Sequence, residues 1–202
     1  MKLYYSPGAC SLSPHIVLRE LGYDFDLQRV DMATKRTATG GDYLAVNAKG
    51  YVPALELDNG EVLTEGAAII QYLADQKPEA GLIPRSGTLP RARLQEHLNF
   101  LSSELHKAFG PLFTASAPEE AKAKAAGAVS RLLDRFEAIL ADGRTYLLGE
   151  AYTVADPYLY VIAGWAKPTG IGLAKWPRLA AYIERIGGRD AVRSALAAEG
   201  SH

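Results

Sequence analysis

Residues 77–90 hold three prolines and two glycines, and the patterns on either side of this stretch belong to different architectures. Ahead of it, short β-prone runs alternate with amphipathic segments, with Gly or Pro at the junctions. Behind it, apolar residues recur at helical spacing. Alternating strands and helices build a sheet covered by helices, whereas continuous helical spacing builds a bundle. The expectation is an α/β domain over residues 1–77 in the order βαβαββα, a linker over 78–90, and an all-α domain over 91–202.

The first domain opens on Leu3, Tyr4 and Tyr5, a β-prone run that Pro7-Gly8 breaks. Pro14 then sits where a first helical turn tolerates a missing N–H. Cys10, the only cysteine in the chain, therefore falls at a helix N-terminus. Orphan N–H groups and the positive end of the helix dipole favour an anion there, either the Cys10 thiolate or that of a bound thiol. A polar turn bearing Pro and Gly is a poor place to hide a small hydrophobe, which ranks a functional Cys10 above an inert, buried one. The spacing Cys10-Ser-Leu-Ser13 resembles the redox corner of thioredoxin-like folds with the second cysteine replaced by serine. A single cysteine forms no intramolecular disulfide, so redox turnover would pass through a mixed disulfide with an outside thiol.

Ile16, Val17, Leu18 and Leu21 give the helix over 11–21 its apolar face, and Gly22 stands where a helix-ending glycine belongs. Residues 25–31 alternate as a second strand. Residues 33–41, with Lys35 and Arg36, read as a polar surface loop. Asp42 can cap a short helix through Val46, and residues 51–57 follow as a strand. Pro53 cannot donate to a ladder and belongs at the start of that strand, where its bond to Val52 is open to the cis form. A cis bond would turn Val52 outward and leave its backbone N–H and C=O to pair with an extended peptide; a trans bond would simply start the strand. Asp58-Asn59-Gly60 between apolar runs signals a hairpin. Thr64-Glu65-Gly66 opens a helix with Ala68, Ile69, Tyr72 and Leu73 on one face. Glu65 is favoured there by the helix dipole, and the Gly66 N–H is poised for a ligand carboxylate.

In the second half, Leu94, Leu98, Leu101 and Leu105 mark a helix over 91–113 that Pro111 bends or stops. Asn99, Ser103 and His106 share a neighbouring face with Glu104 and Lys107 beside them, as a solvated surface or as a polar wall towards the first domain. Residues 118–140 form an Ala-rich helix with Val129, Leu132, Leu133, Phe136 and Leu140 inward. Thr153-Val-Ala-Asp156 caps a helix that is apolar nearly all round and hence central to this domain. Trp176-Pro177 opens a further helix that Gly187-Gly188 ends, and residues 190–198 form one more.

Several function classes drop out. A net charge of -1 gives no electrostatic footprint for nucleic acid or an anionic membrane surface. The lone cysteine argues against a secreted disulfide scaffold. No apolar run approaches a membrane span, and Met1-Lys2-Leu3 leads into no signal-peptide core, so the expected location is cytoplasmic. The four histidines are scattered, His202 being terminal, and none has a partner at helical metal-ligand spacing, so no metal is expected. There is no dinucleotide fingerprint, phosphate loop or Gly-x-Ser-x-Gly turn. The chemistry is left to a thiol or to the ligand.

The order βαβαββα, a Pro-rich linker and a helical domain resembles the glutathione S-transferases, whose first domain is thioredoxin-like. The motifs Ser6-Pro-Gly-Ala-Cys10-Ser11, Gly50-Tyr-Val52-Pro53, Leu63-Thr-Glu65-Gly66, Ser102-Ser-Glu-Leu-His106-Lys107 and Thr153-Val-Ala-Asp156 are similar to those of the beta class found in bacteria, over essentially the whole chain. The resemblance implies glutathione as co-substrate, an apolar electrophile taken between the domains, a homodimer and no metal. It implies that Cys10 sits by the glutathione sulfur and can form a mixed disulfide with it. Lys35 would meet the glycine carboxylate, and Val52 would pair through its backbone with the cysteinyl part beside a cis Pro53. Glu65 would hold the γ-glutamyl amino group, with the Gly66 N–H on its carboxylate. Asn99, Ser103 and His106 would close the site from the helical domain, and Glu104 would reach the partner subunit's glutathione. Tyr5 would lie nearby without the activating role that other classes give a Tyr or Ser hydroxyl. Gly66 departs from the pattern, because many of these proteins have Ser or Thr there.

The implied mechanism docks glutathione as an extended strand, lowers its thiol pKa by the helix dipole and nearby donors, and delivers the thiolate to an electrophilic carbon. His106 is either a donor or acid at that site or a polar contact of the domain interface. Two other readings use the same residues. One is glutathione-dependent thiol-disulfide exchange or reductive dehalogenation with Cys10 in a covalent role, and the other is a non-catalytic ligand carrier.

Overall fold

β1 (Lys2–Tyr5) is the central strand of its sheet, and Leu3, Tyr4 and Tyr5 are all buried. It leads into α1 (Leu12–Glu20), β2 (Asp26–Asp31), β3 (Arg36–Thr37), a 3₁₀ turn at Tyr43–Ala45, β4 (Ala54–Glu56), β5 (Val62–Thr64) and α2 (Gly66–Asp75). This computed structural model describes residues 1–200, so His202 lies outside it. The sheet order is β3-β2-β1-β4-β5, with β1 parallel to β2 and antiparallel to β4. A parallel neighbour needs a crossover, which α1 supplies. Leu3 lies opposite Leu27 on one side and Leu55 on the other, which puts Leu3 and Leu55 in the same buried row. This is the thioredoxin-like arrangement expected for the first half.

α1 stops where the sequence places its end. Gly22 adopts φ +61, a left-handed conformation that glycine takes without penalty, and the N–H groups of Gly22 and Tyr23 close onto the carbonyls of Arg19 and Leu18. Two details of the next segment differ from expectation. Residues 33–41 are not all loop, since Arg36 and Thr37 pair with Asp31 and Val30. Two residues are too few for an alternating pattern. Their pairing is instead set by a local turn, in which the Asp31 carboxylate accepts from the N–H groups of Ala33 and Thr34. The helix after Asp42 is a single 3₁₀ turn, although Asp42 does cap it by accepting from the Leu44 N–H at 3.0 Å.

The second half is helical. α3 (Leu89–Phe100) continues through one wide π turn at Leu101–Leu105 into α4 (His106–Ala108), followed by α5 (Gly110–Phe113), α6 (Glu119–Ile139), α7 (Ala155–Gly164) and α8 (Pro177–Gly187). The stripe Leu94, Leu98, Leu101, Leu105 and Phe109 is buried throughout and runs across the π turn unbroken, so the spacing of the leucines gave no sign of it. Such turns concentrate at functional sites. Pro111 lies in the first turn of α5, where a missing N–H costs nothing. α7 is buried at every position from Ala155 to Ala163 except Tyr160. Its start is held by the Asp156 carboxylate, and the Glu137 carboxylate of α6 caps α8 by accepting from the N–H groups of Arg178 and Leu179.

The chain packs as two compact units, residues 1–81 with 189–200, and Leu82–Gly188. Reading 91–202 as one helical domain puts the final helix, α9 (Asp190–Glu199), with the second unit; it packs on α1 of the first. The physical reason is polar. Arg189 makes a two-pronged ion pair with Glu20, and Glu199 enters the core beside His15.

Candidate functional site

The turn that carries Cys10 is folded on itself. Ser11 donates its hydroxyl to the Ser6 carbonyl and accepts from the Ser6 N–H, both at 3.2 Å, and Ala9 N–H bonds to Ser6 as well. Because the Ser11 side chain is used this way, it does not cap α1. The N–H groups of Leu12 and Ser13 close onto the Ala9 and Cys10 carbonyls instead, so what this end offers an anion is the positive end of the helix dipole. Cys10 is half-buried two residues ahead of α1, with its Sγ 3.3 Å from the Val52 carbonyl oxygen.

Beneath this turn lies a buried polar chain. Glu199 accepts from the Gly8 N–H at 3.2 Å with one oxygen and lies 2.9 Å from His15 Nδ1 with the other. Arg19 Nε donates to His15 Nε2 at 2.9 Å, so the imidazole carries its proton on Nδ1 and donates it to Glu199. The His15 and Glu199 side chains are both 0% exposed. Sequence reasoning missed this link because its ends lie far apart in the chain. The available signal was an acid on an apolar stripe, Val192, Ala195 and Glu199. Burial, and then the Glu199 charge, push the Tyr5 phenol up, so Tyr5 is a neutral hydroxyl near neutral pH.

The Val52–Pro53 bond is cis. The Val52 side chain is not turned outward, however. It packs with Tyr4, Val30, Tyr43 and Ala54, because that corner of the sheet offers an apolar gap that a valine fills. Its backbone is what faces Cys10. The preceding carbonyl, of Tyr51, accepts from the Tyr43 hydroxyl at 2.7 Å and from Asn47 Nδ2 at 2.8 Å, which pins the segment. Gly50, at φ +68, completes that turn and receives the Lys35 ammonium on its carbonyl at 2.9 Å.

Across the cis bond lies the start of α2. A Cβ on Gly66 would sit 3.7 Å from Pro53 Cγ, an ordinary contact. Glu65 adopts φ +69, which an L residue holds at a cost of about 1–3 kcal/mol and mostly at functional positions. Its carboxylate does not cap α2; it accepts from Lys49 Nζ at 2.9 Å. The structure thus brings Cys10, Val52, Glu65 and Gly66 around one cis bond, with Lys35 one turn away on Gly50.

In the second unit Asn99, Ser103 and Glu104 are exposed and His106 is half-buried. His106 Nδ1 is 3.3 Å from the Tyr158 hydroxyl, and its ring meets Trp165 edge-on at 4.9 Å. Phe109 and Phe113 pack on the same indole at 5.7 and 5.2 Å, and Phe113 is 53% exposed. Tyr158 and Trp165 belong to the apolar stretch after Thr153-Val-Ala-Asp156, and no local pattern in the sequence links them to His106. A ring cluster with one exposed member can stack a flat apolar molecule. Among the described residues no three His, Cys, Asp or Glu side chains gather as a metal site, and no helix is long and apolar enough to cross a membrane.

Residues 8–76 match the family model for the glutathione S-transferase N-terminal domain, and residues 100–190 match that for the C-terminal domain. The chain is 44% identical over 200 residues to glutathione S-transferase GstA of Escherichia coli O157:H7, covering 99% of each protein. Two solved structures superpose with a TM-score of 0.96. One is a sphingomonad glutathione S-transferase complexed with glutathione, at 53% identity over 99% of both chains. The other is the beta-class glutathione S-transferase of Sphingomonas chungbukensis, at 52% identity over 99% of both.

Proposed function

The chain belongs to the glutathione S-transferase family, in its beta class, and on that premise we propose that the corner around Cys10 and the cis Val52–Pro53 bond binds glutathione and passes its thiolate to an apolar aromatic electrophile. The observation that carries this reading is the juxtaposition of Cys10, the Val52 backbone, Glu65 and Gly66 about that bond. Val52 offers main-chain groups to an extended peptide, as a strand edge does. The uncapped first turn of α2 supplies N–H groups for the γ-glutamyl carboxylate, with Glu65 for its ammonium. Lys35 is assigned to the glycine carboxylate. The first turn of α1, with no side chain capping it, favours the thiolate over the thiol. In the second unit, Asn99, Ser103, Glu104 and His106 are assigned to glutathione on the family resemblance. The rings beside His106 support an aromatic electrophile.

Replacement of Cys10 separates this reading from its nearest rival. In the rival, the Cys10 thiolate attacks the glutathione sulfur of a mixed disulfide and expels the other thiolate. A second glutathione thiolate then attacks the Cys10 adduct, releasing glutathione disulfide and regenerating Cys10. Cys10→Ala is expected to keep transfer to an aryl halide and to lose mixed-disulfide reduction. Loss of both activities would overturn the assignment of thiolate stabilisation to the helix end.

Gly66 provides a second test, because the space beside it is open. Gly66→Ser places its Cβ at ordinary contact distance from Pro53 and adds a hydroxyl at the carboxylate site. One added hydrogen bond of ~1 kcal/mol lowers the KM for glutathione about fivefold. An unchanged KM would place the carboxylate elsewhere. The proposal also places the protein in the cytoplasm as a homodimer. Sedimentation is expected to give the mass of two chains, and the mass of one chain would overturn the dimer.

A further inference from the structure

Lys49 is a charged side chain at this corner that none of the roles above uses. Its Nζ donates to Glu65 Oε1 at 2.9 Å and to Thr64 Oγ1 at 3.2 Å. The turn beneath it is fixed by Asn47, which is buried. The Asn47 side-chain oxygen accepts from the Lys49 N–H at 3.1 Å, its Nδ2 donates to the Tyr51 carbonyl, and its own carbonyl accepts from the Gly50 N–H at 2.8 Å. Glu65 is fixed in turn by its left-handed backbone. Both members of the pair therefore spring from pinned main chain, while their side chains are 54% and 71% exposed.

An exposed ion pair of this kind adds little stability, so a ligand can displace it readily. What it does create is a cation and an anion side by side at the start of α2. The Glu65 carboxylate turns to Lys49 and leaves the first N–H groups of that helix without a side-chain cap. The other lysine of the corner, Lys35, is engaged on the Gly50 carbonyl.

We infer that Lys49 and Glu65 together read the zwitterionic α-amino-acid head of a γ-glutamyl ligand. The ligand's ammonium takes the place of the Lys49 ammonium on Glu65, and Lys49 turns to the ligand's α-carboxylate beside the Gly66 N–H. In the ligand-free protein the Lys49 ammonium stands in for the amino group to come. One ammonium–carboxylate contact is exchanged for two, which favours a ligand carrying both charges on the same carbon over one carrying either alone. This inference rests on the reading of Glu65 and Gly66 as the γ-glutamyl end of the glutathione site.

The test compares three thiols in aryl halide conjugation: glutathione, glutaryl-Cys-Gly, which lacks the α-amino group, and 4-aminobutyryl-Cys-Gly, which lacks the α-carboxylate. The readout is the ratio of kcat/KM values in the unaltered protein, Lys49→Met, Lys49→Gln and Glu65→Gln. The unaltered protein is expected to prefer glutathione over the decarboxylated analogue about tenfold, the discrimination of one charge-assisted contact. Both Lys49 variants should cut that preference to about twofold and keep the preference over the deaminated analogue. Glu65→Gln should do the reverse. If the Lys49 variants keep the carboxylate preference while Glu65→Gln loses the amino preference, Lys49 is only a surface partner of Glu65 and the inference fails while the glutathione site stands. If Glu65→Gln also keeps the amino preference, the reading of the γ-glutamyl site fails and the inference fails with it.

Discussion

Asp156→Ala is expected to destabilise the chain by about 3–5 kcal/mol, the cost of leaving several buried donors without their shared acceptor. The carboxylate is fully buried and accepts from the Leu147 N–H at 2.8 Å, the Thr153 N–H at 2.6 Å, the Thr153 hydroxyl at 3.1 Å and the Tyr182 hydroxyl at 2.7 Å. Burial pushes this carboxyl up, while the four donors pull the other way. Alanine leaves those donors facing a gap, at about 1–3 kcal/mol for each buried group left unsatisfied, and these costs overlap rather than add. It also frees Thr153, which the carboxylate holds just ahead of α7, the most buried helix of its unit. Against the ~5–15 kcal/mol of an ordinary domain, this loss is about a fifth or more of the total stability. Asp156→Asn keeps the shape and one acceptor oxygen but turns an NH₂ towards groups that also donate, so it should fall between. Urea denaturation followed by circular dichroism measures both, and a shift under about 1 kcal/mol for the alanine variant would show that the network contributes no more than an exposed ion pair.

Glu199→Ala is expected to cost about 2–4 kcal/mol and to raise the KM for glutathione, from a position at the far end of the chain. The substitution leaves the fully buried His15 Nδ1–H without its Glu199 acceptor, removes the carboxylate from the Gly8 N–H, and loses the volume of the buried side chain. The catalytic effect comes through Gly8, which belongs to the turn that presents Cys10 and the start of α1. Glu199→Gln tests that path. Its amide oxygen can still accept from His15, whereas its NH₂ cannot accept from Gly8, so stability should be partly restored and KM should stay raised. A lowered stability with an unchanged KM in both variants would make Glu199 a structural tie alone.

What the sequence revealed was what local chemistry determines. Pro7-Gly8 and Pro14 place Cys10 at the head of α1, Gly22 ends that helix, Asp58-Asn59-Gly60 turns the hairpin, and Thr153 with Asp156 starts α7. Each of these depends on residues within a few positions of one another. Pro53 raised the choice between cis and trans, but the inward turn of Val52 depends on Tyr4, Val30 and Tyr43, which lie elsewhere along the chain. The same limit hid the links Glu199–Gly8 and Lys49–Glu65, since a contact between distant residues leaves no period to read. The side of α9 was hidden too. Its apolar positions state that it packs, and only Arg189 with Glu20 and Glu199 with His15 state where. The π turn before His106 escaped because the buried leucine stripe continues through it.

The most direct measurement is the initial rate of glutathione thioether formation with an activated aryl halide, corrected for the uncatalysed reaction, over a range of glutathione concentrations. Catalysis that saturates with glutathione is the expected result. A rate equal to the uncatalysed one at every concentration would contradict the assignment of a transferase site to the corner around Cys10 and Val52–Pro53.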